Sequence, residues 1–201
     1  MSTLVNSLRV VFHPGSGWPL VARGTSGSFR TLATHTLPLA AIPAACWYVG
    51  VTTQGWTIMG DPVKLTGDSA LALCALFYLA MVGGVIFLGS MAAWMAETYN
   101  AGQRAVGRGI TLISYTATPF FFAGVLGLYP VLWLDILIGT AVACYCIYLL
   151  FLGTGQIMQV PPERAFLYAA AIFAVALVAF VALLGVTVIL WDFGSPPEYT
   201  Y

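Results

Sequence analysis

Ser69-Ala-Leu-Ala-Leu-Cys-Ala-Leu-Phe-Tyr-Leu-Ala-Met-Val-Gly-Gly-Val-Ile-Phe-Leu-Gly-Ser-Met-Ala-Ala-Trp-Met95 contains no Asp, Glu, Lys, Arg or His. A helix needs about 20 apolar residues to cross a hydrocarbon core about 30 Å thick, and a buried helix of a soluble domain seldom sustains such a run beyond about 14. The stretch therefore reads as a transmembrane helix, long enough to tilt. The pattern recurs on either side of it, from about Thr31 to Val51, Gly109 to Leu128, Leu132 to Thr154 and Arg164 to Trp191. The expected fold class is all-α: a polytopic membrane helix bundle with five transmembrane helices and a short N-terminal interfacial helix. Composition agrees. Of 201 residues, 60% are hydrophobic and 7% charged, with a mean hydropathy of +0.92. Soluble domains carry about 25% charged residues, so this chain has too few to cover a soluble surface. Seven basic and seven acidic residues cancel, which leaves no footprint for nucleic acid.

Residues 1–30 form an N-terminal segment, 31–191 the five-span domain and 192–201 a short polar tail. Leu4, Val5, Leu8, Val11 and Phe12 fall on one face of a short helix, with Asn6 and Arg9 off it. Such a helix is expected to lie in the membrane interface. His13-Pro14-Gly15-Ser16-Gly17-Trp18-Pro19 is expected to end it. No small-residue cleavage site follows a short apolar core, so the first span is expected to be retained. Pro38 and Pro43 in the first span, and Thr118-Pro119 in the third, should kink or break their helices, which a bundle tolerates. Polar connections fall at 52–68, where Gln54, Asp61, Lys64 and Asp68 lie, at 97–107 and at 155–163. Tyr129-Pro130 makes a tight turn. Ala80 and Gly84, Gly89 and Ala93, and Gly153 and Gly155 offer small surfaces for close helix approach. Cys46, Cys74, Cys144 and Cys146 sit inside apolar runs and read as small fillers. Cys144 and Cys146 project about 200° apart on a helix and do not grip one ion.

An odd number of spans puts the termini on opposite sides. With the N-terminus in the cytoplasm, Arg9, Arg23, Arg30, Arg104, Arg108 and Arg164 lie inside, and Lys64, flanked by Asp61 and Asp68, lies outside. That satisfies the positive-inside rule. The expected localisation is the inner (cytoplasmic) membrane, N-terminus cytoplasmic, C-terminus outside. Trp18 near the inner face, Trp56, Trp133 and Trp191 near the outer one, and Tyr99 and Tyr129 suit interfacial anchoring.

Ionisable groups inside a membrane are functional suspects because burying them is costly. Asp135 lies shallowly below the outer interface, where it binds a cation, hydrogen-bonds a neighbouring helix, or reaches up to the headgroups. Glu97 follows the second span and can face Arg104 or Arg108, either as a structural ion pair or as a site for lipid headgroups or a partner. His13 and His35 have no second ligand at metal spacing. No Gly-x-Ser-x-Gly elbow and no phosphate-cradling glycine loop occurs. No catalytic, cofactor-binding or metal-binding residue is assigned, and no cofactor is expected. The hydroxyls of Thr116 and Thr118, ahead of Pro119, suit capping of backbone groups left open where proline interrupts the helix.

Two stretches carry a family likeness: Tyr115-Thr-Ala-Thr-Pro119-Phe-Phe-Phe-Ala-Gly124-Val-Leu-Gly-Leu-Tyr-Pro130 and Ile147-Tyr148-Leu-Leu-Phe-Leu-Gly153-Thr-Gly-Gln-Ile-Met158-Gln-Val-Pro161-Pro-Glu163-Arg-Ala165. With His13-Pro14 and Trp18 upstream, the chain resembles the bacterial branch of the Yip1 family of five-span membrane proteins, from about Leu4 to Leu190. The resemblance implies five spans and a cytoplasmic N-terminus, and brings no established catalytic residue. The long acidic or proline-rich N-terminal region of the eukaryotic members is lacking, so their Rab-binding, vesicle-trafficking role is not carried over.

The expected function is that of a non-enzymatic membrane scaffold or accessory subunit, in contact with membrane lipids and with another membrane protein or a second copy. The alternative is a lipid-handling protein or small-molecule transporter, with Thr116, Thr118, Pro119 and Asp135 along its path.

Overall fold

A computed structural model describes residues 3–24, 27–56, 62–193 and 197–200. Asp61 and the side chain of Leu4 lie outside the described residues. Seven helices run through the described part of the chain. They are α1 (Thr3–Phe12), α2 (Pro14–Arg23) and five long apolar helices: α3 (Phe29–Thr53), α4 (Gly67–Met95), α5 (Val106–Leu128), α6 (Leu132–Met158) and α7 (Pro162–Asp192). At 1.5 Å per residue each of the five exceeds the roughly 30 Å of a bilayer core.

The connections separate to two ends. At one end, here the N-side, Arg164 donates to the Thr98 carbonyl at 3.2 Å and the Gln103 N–H to the Met158 carbonyl at 3.0 Å. At the other, the C-side, strand β1 (Lys64–Leu65) pairs antiparallel with β2 (Tyr199–Thr200). The Glu198 N–H donates to Ser69 Oγ at 3.1 Å, and the Thr66 N–H to the Glu198 carbonyl at 3.0 Å. The tail thus returns to the foot of α4.

The centre of the bundle is α5, whose residues 109–116 are all buried. Small residues let its neighbours close on it. A Cβ on Gly109 would lie 2.0 Å from the Gly89 carbonyl oxygen of α4. A Cβ on Gly50 of α3 would lie 1.8 Å from the Gly127 carbonyl oxygen, and one on Gly124 2.6 Å from Pro43 Cα. With no hydrophobic drive between helices in lipid, such close packing is what holds spans together. Peripheral α7 shows most of its apolar side chains outward, and α4 fully buries few of its own.

Prolines shape the two inner helices. Pro38 has no N–H and crowds the preceding turn, and α3 takes a π turn over Leu32–Thr36 just before it. Pro43 sits inside continuous α-helix. In α5 the helix is interrupted at Ala117, resumes at Thr118–Ala123 and tightens to a 3-10 turn over Gly124–Leu128.

The N-terminal segment departs from its sequence reading. His13 ends α1 at Phe12, as read from the sequence, but the rest of the 13–19 stretch is helical rather than a break. Pro14 opens α2 at the first helical position, where its missing N–H costs nothing, and Pro19 falls inside that helix. α1 and α2 pack as a hairpin: a Cβ on Gly17 would lie 2.7 Å from Val10 Cα. On α1, Ser7 and Val10 face inward while Val5, Leu8 and Phe12 are exposed, so the apolar stripe seen in sequence points away from the protein. Trp18 is not an interfacial anchor. It is 1% exposed, enclosed beside Leu112 of α5 and Gly153 of α6. Trp94, Trp133 and Trp191 do present exposed rings near helix ends.

Candidate functional site

Polar side chains gather along the contact between α3 and α5. The Thr31 and Thr111 hydroxyls are 3.3 Å apart, those of Thr36 and Ser114 2.9 Å, and Thr118 Oγ1 lies 3.3 Å from His35 Nε2. The π turn explains the alignment. Its i→i+5 bonding brings Thr36 under Thr31, so Thr31, His35 and Thr36 meet a facing row on α5 at i, i+3 and i+7. The His35 ring stacks on Tyr115 with centroids 4.3 Å apart. Thr118 also donates to the Ser114 carbonyl at 3.3 Å. With its proton there, His35 Nε2–H donates to Thr118 and Nδ1 is left a bare acceptor. His35 Nδ1, Thr116 Oγ1 and Trp18 Nε1 are enclosed without a hydrogen-bond partner among the described residues. His35 was undervalued from sequence, where it stood as a lone histidine at the start of a span. The legible signal was the hydroxyl row at 111, 114 and 118.

This seam locks two helices in register. It holds a hydroxyl beside an imidazole but no carboxylate to orient the ring as catalytic hydroxyls require. Among the described residues no group of three His, Cys, Asp or Glu comes together to hold a metal ion.

At the N-side surface, Arg104 Nη1 lies 3.5 Å from Glu97 Oε1, both side chains largely exposed. Such a pair contributes about 0–1 kcal/mol. Arg108 stands apart. Its Nη1 donates to the Ala22 carbonyl at 2.7 Å and the Gly24 carbonyl at 3.5 Å, a cation at the carbonyl end of α2, where the helix dipole favours it. The three residues therefore do not converge on one anion.

Asp135 lies in the first turn of α6 and lines a cavity of about 460 Å³ walled by α3 to α7, including Trp47, Phe77, Phe121 and Phe180. Its Oδ2 is enclosed without a hydrogen-bond partner. A second cavity of about 410 Å³, with Trp56 and Trp191 in its wall, adjoins the first through Trp47 and Phe77. Ala117 and Phe120 of α5 face the larger cavity, while Thr116, Thr118 and Pro119 are not in its lining. The structure thus separates the Thr118 seam from Asp135, and they do not share one path.

The family model described as Yip1 domain matches residues 8–183, from α1 into α7. The chain belongs to the Yip1 family. It is 33% identical over 183 residues to inner membrane protein YohC of Escherichia coli strain K12, covering 90% of this chain and 93% of that protein. The YohC protein of E. coli O6:H1 gives the same figures. No solved structure matches. The matched region takes in the hydroxyl seam, the Arg108 clasp and the Asp135 cavity, so all three belong to this chain's Yip1 domain.

Proposed function

We propose that this Yip1-family chain is a non-enzymatic scaffold of the inner membrane that binds a second membrane protein, or a second copy of itself, through α4 and α7. One observation carries the reading. Gly89 and Gly109 are consumed by packing inside the chain, whereas Gly83 of α4 and Gly185 of α7 face open space, with nothing within 4 Å of an added Cβ. A mid-helix glycine costs about 1 kcal/mol relative to alanine. In a membrane helix its usual return is the close approach of another helix. The hydroxyls of Thr31, Thr36, Thr111, Ser114 and Thr118 are spent on holding α3 to α5, which supports a structural role for that seam. The relative's designation as an inner membrane protein supports that location. The arginines, all on N-side elements, support a cytoplasmic N-terminus.

Native mass spectrometry after mild extraction tests the reading. A stoichiometric partner or homo-oligomer is expected, lost in a Gly83→Leu/Gly185→Leu variant that still folds. A lone chain in every mild detergent and nanodisc would retire it. A second reading, the handling of a lipid or small molecule, is favoured by the cavity at Asp135; flux in reconstituted vesicles that falls on Asp135→Ala would support it.

A further inference from the structure

The Asp135 cavity has the make-up of a site rather than of a packing flaw. A void between helices in lipid is ordinarily apolar throughout, because a carboxylate facing hydrocarbon is costly. Here the wall is apolar and aromatic, and it holds one acid, with one enclosed oxygen left unpaired. Asp135 does not spend that oxygen on its own helix end, the usual local use of an acid in a first turn. Among the described residues no Lys, Arg or His lines the cavity. An anionic or zwitterionic head would therefore bring a negative group with no counter-charge to meet it.

We propose that this cavity binds a monocationic amphiphile, an amine or quaternary onium with an apolar body, its charge beside Asp135 and its body among the aromatic rings. Three features fit that chemistry. The carboxylate supplies the counter-charge. Trp47, Phe77 and Phe121 put aromatic rings in the wall, and such rings attract a desolvated cation. The slot is also long enough: Phe77 and Leu88 both line it, and eleven residues of α4 span about 16 Å. Gly84 and Gly139 open into it, the Cβ position of each meeting nothing within 4 Å. The site stands whether or not the chain also scaffolds a partner.

The test uses the full chain in nanodiscs and tetraphenylphosphonium as the probe, with tetraphenylborate, an anion of similar shape, as control. Two variants divide the question. Asp135→Asn removes the charge at constant shape, and Gly139→Leu fills the slot while leaving the acid. Tetraphenylphosphonium is expected to bind the wild type saturably, and each variant to weaken it about ten-fold or more, the loss of one well-placed charged or cation–π contact. Tetraphenylborate should not compete. Equal binding to all three proteins would mean partition into lipid and would overturn the proposal. Loss in Gly139→Leu alone would make this an uncharged apolar pocket. Loss in Asp135→Asn alone would put the cation outside the slot. Either result overturns it too.

Discussion

A Cβ on Gly89 would lie 2.6 Å from Ile110 Cα, and one on Gly109 2.0 Å from a carbonyl oxygen; neither backbone can move without parting α4 from α5. Gly109→Ala should therefore destabilise by about 1–3 kcal/mol, the usual cost of overpacking. In the lone chain, with no partner helix seated on it, Gly83→Ala faces open space and should stabilise by up to about 1 kcal/mol through helix propensity. Thermal melting of the two in one nanodisc preparation should move in opposite directions. Along the seam, Thr36→Val leaves the Ser114 hydroxyl enclosed without its partner, and Ser114→Ala does the converse. A double-mutant cycle should return a coupling of about 0.6–1.7 kcal/mol, the range for interhelical hydrogen bonds in membranes. Zero coupling would mean that each hydroxyl finds another acceptor. Sequence alone showed that Gly89 and Ala93 offered a small surface, because small residues four apart share a helix face. It did not reveal His35, because what brings His35 to Thr118 is a change of helical pitch before Pro38.

Among the elements, α2 is held both by the packing of Gly17 and Trp18 and by one charged contact at its end. Its carbonyl end is held by Arg108, through a charged donor on Ala22, a class of bond that contributes about 1.5–3 kcal/mol. Arg108→Gln should therefore raise amide exchange across residues 14–24 by about ten-fold or more while leaving α4 at its wild-type rate. Unchanged exchange would show that Trp18, packed against Gly153 beside Leu112, fixes α2 without help. Trp18→Ala should then be the more damaging change, at about 3–5 kcal/mol. The five spanning helices were legible in sequence because each apolar run meets the bilayer length and few charges interrupt it. α2 was not. Pro14 and Pro19 read as breakers, whereas Pro14, in a first helical turn, begins a helix, and Pro19 is carried inside it. The stripe on α1 was also real, but its direction, away from the bundle, is set by Ser7 and Val10, which packing chooses and periodicity does not.

At the scale of the molecule, the two ends differ in charge: six arginines lie on N-side elements and Lys64 lies on the C-side strand. In the proposed orientation, a membrane-impermeant maleimide added to spheroplasts should label Pro62→Cys, and Thr98→Cys only after lysis. The reverse pattern would invert the topology. This asymmetry was readable from sequence once the spans had been counted. The Asp135 cavity was not, since its walls come from five helices and no local pattern records their convergence. The C-side strand pair carries a consequence in time. β1 leaves the ribosome some 135 residues before β2, a gap of roughly 7–27 s at ordinary rates of synthesis. Throughout that interval the Lys64–Leu65 edge waits without its mate, and it closes once the tail has followed the last span. An unfinished copy, stalled anywhere within α7, therefore carries an open edge that a finished one lacks.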